Sequence, residues 1–177
     1  MKKRLKLRHA MAAILLAAAC VAADSKYNLR VTEYRLSFEN LPESFDGFRI
    51  AQLSDLHGMR FGRDNERLIA QVARQRPDII VLTGDMAENE KELRVFEGLL
   101  GGICGIAPVY YVRGNHEYAG KVQGEAVALA EKYGVVCLVN EYVELFRQGD
   151  NIVLAGVDDP NGRADMIKPD ALAEEIR

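Results

Sequence analysis

The sequence predicts an α/β domain built on a parallel sheet with helices packed against it. Three observations predict it. Short apolar runs rich in β-branched and aromatic residues recur as "FRIAQL", "DIIVLT" and "APVYYV", the residue types that suit a pleated sheet. Amphipathic stretches of helical period separate them, so strand and helix alternate, an order that requires right-handed crossovers. The middle run is almost wholly apolar, as expected of a strand covered on both faces.

Taken in order, "NLRVTEYRLSF" (residues 28–38) alternates in polarity and is expected to form an outer or edge strand. "LPESFDG" is a turn-rich link, and the first central strand starts at Phe48. Asp64 is placed to cap a helix running from Asn65 through "NERLIAQVARQ", with Leu68, Ile69 and Val72 on one face. Pro77 stops it. After the second strand, "NEKELRVFEGLLGGI" is a helix with Leu93, Phe96, Leu99 and Leu100 at helical spacing and Gly101 and Gly102 marking its end. The third strand is followed by a helix in "GEAVALAEKYG", with Val127, Leu129 and Tyr133 mostly inward. "VVCLVN", "YVELFR" and "NIVLAGV" are strands, the last two joined as a hairpin through Gln148, Gly149 and Asp150. "KPDALAEEIR" opens a further helix.

At 177 residues the chain is near the size of one domain. Its 49% hydrophobic and 28% charged content excludes a disordered polymer. The net charge of -3 hides an asymmetry, because Lys2, Lys3, Arg4, Lys6 and Arg8 all fall in the first eight residues. Without those five, 18 basic residues face 26 acidic ones. An acidic body lacking a basic stripe shows no nucleic-acid-binding surface, since phosphate contacts need Lys and Arg.

The basic start leads into an uncharged apolar run, Ala10 to Ala23, that closes on small residues. Residues 1–26 are therefore expected to be a signal peptide or an N-terminal membrane anchor, and 27–177 the functional domain. As a helix the run spans ~21 Å against a hydrocarbon core of ~30 Å, so cleavage after Ala23 and retention as an anchor both stay open. A lipoprotein-like box around Cys20 is a further alternative. The positive-inside rule puts the body on the extracytoplasmic side. Cys104 and Cys137 read as small buried thiols, with a bond between them also open.

The chemistry lies where the three central strands stop. "FRIAQL" runs into Ser54-Asp55-Leu56-His57, "IIVLT" into Gly84-Asp85, and "VYYV" into Gly114-Asn115-His116-Glu117. Asp55, Asp85 and Asn115 follow one another at equal intervals, each suited to one strand, one helix and two short loops. Parallel sheets gather functional groups at the carboxyl ends of their strands. Each tip alone is commonly an ordinary turn or helix cap. Three in succession place carboxylate, imidazole and amide together, a set that suits Mn²⁺, Fe²⁺, Zn²⁺ or Mg²⁺. Asp158 and Asp159 in "GVDDP" either border this edge or form a turn before Pro160.

Asp-x-His, Gly-Asp and Gly-Asn-His-Glu in this order resemble the calcineurin-like metallophosphoesterases. "FRIAQLSDLH", "VRGNHEY" and "LAGVDDP" behind a signal or anchor are most similar to the membrane-associated YkuE/YaeI-like branch. The resemblance implies a sandwich of two mixed β-sheets flanked by helices, α/β/β/α. It implies two divalent ions, with Asp55 and His57 on the first, Asp85 shared and Asn115 on the second. His116, oriented by Asp85, would be the general acid or a transition-state donor beside the leaving oxygen, and Glu117 would have a structural part. The implied reaction is hydrolysis of a phosphodiester or pyrophosphate by a water activated between the metals. Some members of the branch are assigned by similarity to UDP-2,3-diacylglucosamine in lipid A synthesis. The family's later histidines have no counterpart after His116, so the fold is expected to be incomplete at the C-terminus, with a weakly held second ion and little turnover. The competing expectation is a non-catalytic, membrane-tethered module that binds metal or phosphate.

Overall fold

The computed structural model describes residues 28–159 and 169–176, together with Met11 and residues 14–16. The chain divides into two compact units, Met1–Leu36 and Ser37–Arg177. In the first, Met11 and residues 14–16 are helical, and the rest of the expected signal or anchor lies outside the described residues. Among the described residues no helix is long and apolar enough to cross a membrane. Residues 28–38 carry no strand, contrary to expectation, and Val31, Tyr34, Leu36 and Phe38 are exposed. Alternation makes a strand only where a ladder partner exists, and among the described residues this segment has none.

The second unit is a mixed α/β fold whose centre is a parallel sheet flanked by helices. Its strands are β1 (Ile50–Leu53), β2 (Ile79–Thr83), β3 (Val109–Val112) and β4 (Val136–Cys137), hydrogen-bonded in that order. The helices are α1 (Glu66–Gln75), α2 (Glu90–Ile103), the short α3 (Asn115–Ala119), α4 (Gln123–Lys132) and α5 (Pro169–Glu175). A second sheet is the antiparallel hairpin of β5 (Glu141–Arg147) and β6 (Asp150–Gly156). Among the described residues the first sheet is parallel and the second antiparallel, and the α/β fold with helices flanking a parallel sheet is the one expected. The hairpin turns on Gln148 and Gly149, both at positive φ (53° and 98°), the two-residue geometry that matches the twist of paired strands. Ile80, Leu82, Phe96, Leu99, Leu100, Ile103 and Tyr111 are buried to 2% exposure or less and form the core between sheet and helices.

Several local expectations change for physical reasons. Gly101 and Gly102 do lie in the last turn of α2, which ends at Ile103 as expected. A Cβ on Gly102 would sit 2.8 Å from Ile69 Cγ1, so this glycine also lets α1 approach α2. Asp64 does not cap α1; Asn65 holds the N-cap position in a left-handed conformation, and its buried side chain, instead of capping the helix, accepts from Phe61 N–H at 2.9 Å. In α4 the fully buried positions are Ala126 and Ala130, with Val127, Leu129 and Tyr133 half-buried. Cys104 and Cys137 are both free, half-buried thiols. Burial raises both above the usual thiol range, Cys137 to about 11.

The register fixes the site. Leu53 lies beside Leu82, and Leu82 beside Tyr111. The three strands therefore stop abreast, and the residues after them emerge along one edge of the sheet.

Candidate metal centre

Beyond the last ladder pair, the loop after β1 continues to track the loop after β2 through backbone bonds. Asp55 N–H donates to Gly84 C=O at 3.1 Å, His57 N–H to Asp85 C=O at 2.9 Å, and Gly58 N–H to Met86 C=O at 3.0 Å. Asp55, His57 and Asp85 all adopt left-handed φ, 55°, 45° and 57°. This is a costly conformation for residues with a Cβ, and it concentrates at functional sites. Gly84 and Gly114 face each other across the β2 and β3 tips; a Cβ on Gly84 would lie 2.6 Å from Gly114 Cα. A Cβ on Gly114 would collide with Asp85 Oδ1. The motif glycines make room for each other and for the Asp85 carboxylate.

These constraints bring His57, Asp85 and His116 together, with one ligand atom from each lying within 4.8 Å of the others. The His57 and His116 rings meet edge-on, centroids 4.4 Å apart. Asp55 Oδ1 lies 4.0 Å from His57 Nε2, and Ser54 Oγ donates to Asp55 Oδ2 at 2.5 Å. Asn115 is exposed at the first residue of α3, beside His116. Metal–ligand bonds of ~2.0–2.2 Å place two donors on one ion within ~4.4 Å, so small side-chain rotations close the observed spread. Two imidazoles and a carboxylate suit Mn²⁺, Fe²⁺ or Zn²⁺. The residues fit a divalent cation.

Around these groups the structure supplies three carboxylates whose parts were only partly legible. Glu117 is completely buried, and its carboxylate accepts from four backbone amides: Asp85 (3.0 Å), Met86 (2.6 Å), Ala87 (3.1 Å) and Gly114 (2.8 Å). It clamps the Asp85 loop to the tip of β3, the structural part expected of it. Glu88 Oε2 lies 3.2 Å from His116 Nδ1, a contact that the sequence reading missed. Asp85 reaches His116 instead through its backbone, Oδ1 accepting from the N–H at 2.9 Å. Thus Glu88 orients the ring that Asp85 was expected to orient. The Glu88 hydrogen bond raises the His116 pKa above the usual imidazole value, against burial and with help from Asp85, Glu88 and Glu117 charge. Asp158 is buried and paired with Arg113, while Asp159 is half-buried.

The sequence pattern of the calcineurin-like phosphoesterases matches residues 48–172. The chain belongs to that family. It is 33% identical over 141 residues to a zebrafish (Danio rerio) protein named transmembrane protein with metallophosphoesterase domain, covering 76% of this chain and 32% of that one. An uncharacterized metallophosphoesterase of Aquifex aeolicus is 33% identical over 140 residues, covering 77% of this chain and 52% of its own length. The Bacillus subtilis metallophosphoesterase YkuE is 28% identical over 144 residues, covering 74% and 48%. The resemblance to the YkuE branch therefore holds. The chain spans roughly a third to a half of the length of these relatives. Family members use divalent metals, and the His57, Asp85 and His116 cluster is a candidate place for one.

Proposed function

We propose that this chain carries metal-binding residues of a phosphoesterase that hydrolyses phosphodiester or pyrophosphate bonds. The observation that carries the reading is the convergence of His57, Asp85 and His116 at the aligned tips of three parallel strands, with Asp55 Oδ1 4.0 Å from His57 Nε2. In this reading Asp55, His57, Asp85 and Asn115 would hold the divalent ions, Asp55 and His57 the first, Asn115 the second, with Asp85 shared. Bound there, the ions would polarise the phosphoryl oxygens and supply a water nucleophile at neutral pH.

The chain's own residues do the rest. Glu117 keeps Asp85 aimed at the edge by fixing the amides on either side of it. With Nδ1 turned to Glu88, His116 has Nε2 left to give a proton to a leaving oxygen, and the raised pKa favours the protonated ring. The basic segment followed by an apolar run, and the transmembrane name of the zebrafish relative, support residues 1–26 as a tether; the extracytoplasmic side for 27–177 rests on the positive-inside rule alone. The narrower expectation of UDP-2,3-diacylglucosamine rests on the resemblance alone, since the relatives' names carry no lipid A substrate.

The test is hydrolysis of bis(4-nitrophenyl) phosphate with added Mn²⁺, in wild type and Asp85→Asn. The expected result is metal-dependent turnover that the substitution lowers at least ~100-fold. Turnover indifferent to Asp85→Asn contradicts the reading.

A further inference from the structure

Asp158 follows β6, on the second sheet, yet its side chain is only 1% exposed. Its Oδ1 accepts from Arg113 Nε at 3.0 Å, and its Oδ2 accepts from Arg113 Nη2 and from the Tyr118 hydroxyl. Its backbone N–H donates to Asn140 Oδ1 at 3.0 Å. The Arg113 guanidinium also lies 4.9 Å over the Tyr118 ring. Both carboxylate oxygens are therefore committed to donors, which argues against metal ligation by Asp158.

The positions of its two partners carry the inference. Arg113 and Tyr118 are the residues immediately before and after Gly114-Asn115-His116-Glu117. Arg113 lies past Val112, the last laddered residue of β3, and Tyr118 lies in the five-residue helix α3. A helix so short does not hold itself together. The segment bearing Asn115 and His116 is thus fixed by side chains at both levels. Glu117, inside the segment, ties it to the Asp85 loop, and Asp158, just past the end of β6, holds the residues at both of its ends.

We infer that Asp158 is a positioning residue that sets the placement of Asn115 and His116 by holding Arg113 and Tyr118 as a pair. The inference rests on the phosphoesterase reading for its effect on turnover, though not for its effect on local order. Displacing a reacting group by ~1 Å costs about 100-fold in rate, and loss of supporting hydrogen bonds around a metal site ~10–100-fold.

The experiment compares Asp158→Asn, Tyr118→Phe and the double variant Arg113→Lys with Asp158→Asn in the full chain. It reads kcat and KM for bis(4-nitrophenyl) phosphate with Mn²⁺, thermal unfolding, and amide hydrogen exchange over residues 113–119. Asp158→Asn should lower kcat by ~10–100-fold, with KM within about threefold, and speed exchange at 113–119. Tyr118→Phe, which keeps the ring under Arg113, should shift both in the same direction by less. The double variant should be no worse than Asp158→Asn, since both changes break one unit. A variant that melts earlier yet keeps wild-type kcat below its transition, with unchanged exchange at 113–119, overturns the inference. Wild type inactive with every metal tried would sink the phosphoesterase reading, while exchange at 113–119 would still decide the part played by Asp158. Should Asp158→Asn not fold, Tyr118→Phe decides the matter by the same two readouts.

Discussion

Glu117→Gln tests the clamp under the site with almost no change of shape. In the wild type, Oε2 accepts from Asp85 and Gly114 N–H, and Oε1 from Met86 and Ala87 N–H. Glutamine keeps one carbonyl oxygen, so whichever way the amide turns, two N–H donors face an NH₂ group. Hydrogen bonds to a charged acceptor contribute ~1.5–3 kcal/mol each, so two lost bonds cost ~3–6 kcal/mol. Neutralising a buried carboxylate returns part of its desolvation cost and leaves a net loss of about 3 kcal/mol. For a chain of this size ~1 kcal/mol shifts Tm by ~2–4 °C, so the variant should melt about 6–12 °C lower. Thermal unfolding followed by circular dichroism, with urea titration as a check, measures it. A shift smaller than about 2 °C would refute the reasoning, because four amides cannot then depend on this carboxylate.

Gly114→Ala places a methyl group against Asp85 Oδ1 and 2.5 Å from Asp85 N. Overpacking should cost ~1–3 kcal/mol and lower Mn²⁺-dependent turnover about 100-fold; melting and kinetics check both. Gln148→Asn creates the Asn-Gly pair preferred by a turn with two positive φ values, so it should raise stability by about 0.5 kcal/mol in a urea melt. Burial holds the Cys137 thiol at about 11. At pH 8 peptide-resolved iodoacetamide labelling should therefore run ~100-fold slower at Cys137 than at an ordinary exposed cysteine, and accelerate with each added pH unit as thiolate forms.

What the sequence made legible was whatever had a short-range pattern. The apolar strands could be read because burial on two faces leaves few polar residues, and their tips because Asp-x-His, Gly-Asp and Gly-Asn-His-Glu interrupt those runs abruptly. Even spacing became an aligned edge because a longer loop after β1 makes up for the shorter α1, and the parallel register sets Leu53, Leu82 and Tyr111 side by side. Glu88 was hidden for the opposite reason. In "MAENEKEL" an acidic residue is the usual opening of a helix, and only the fold turns it toward His116, 28 residues away. Arg113 and Asp158 are 45 residues apart and leave no local trace of their pairing. Gly101 and Gly102 marked the end of α2 correctly, but nothing local showed that Gly102 also makes room for Ile69 of α1. Residues 28–38 alternate like a strand, but alternation carries no information about whether a partner lies alongside.

The most direct measurement is an anomalous difference map at the manganese edge from crystals grown with Mn²⁺. The account predicts density among Asp55, His57, Asp85 and Asn115, bordered by His116. Peaks confined to other parts of the molecule, or none at saturating Mn²⁺, would contradict it.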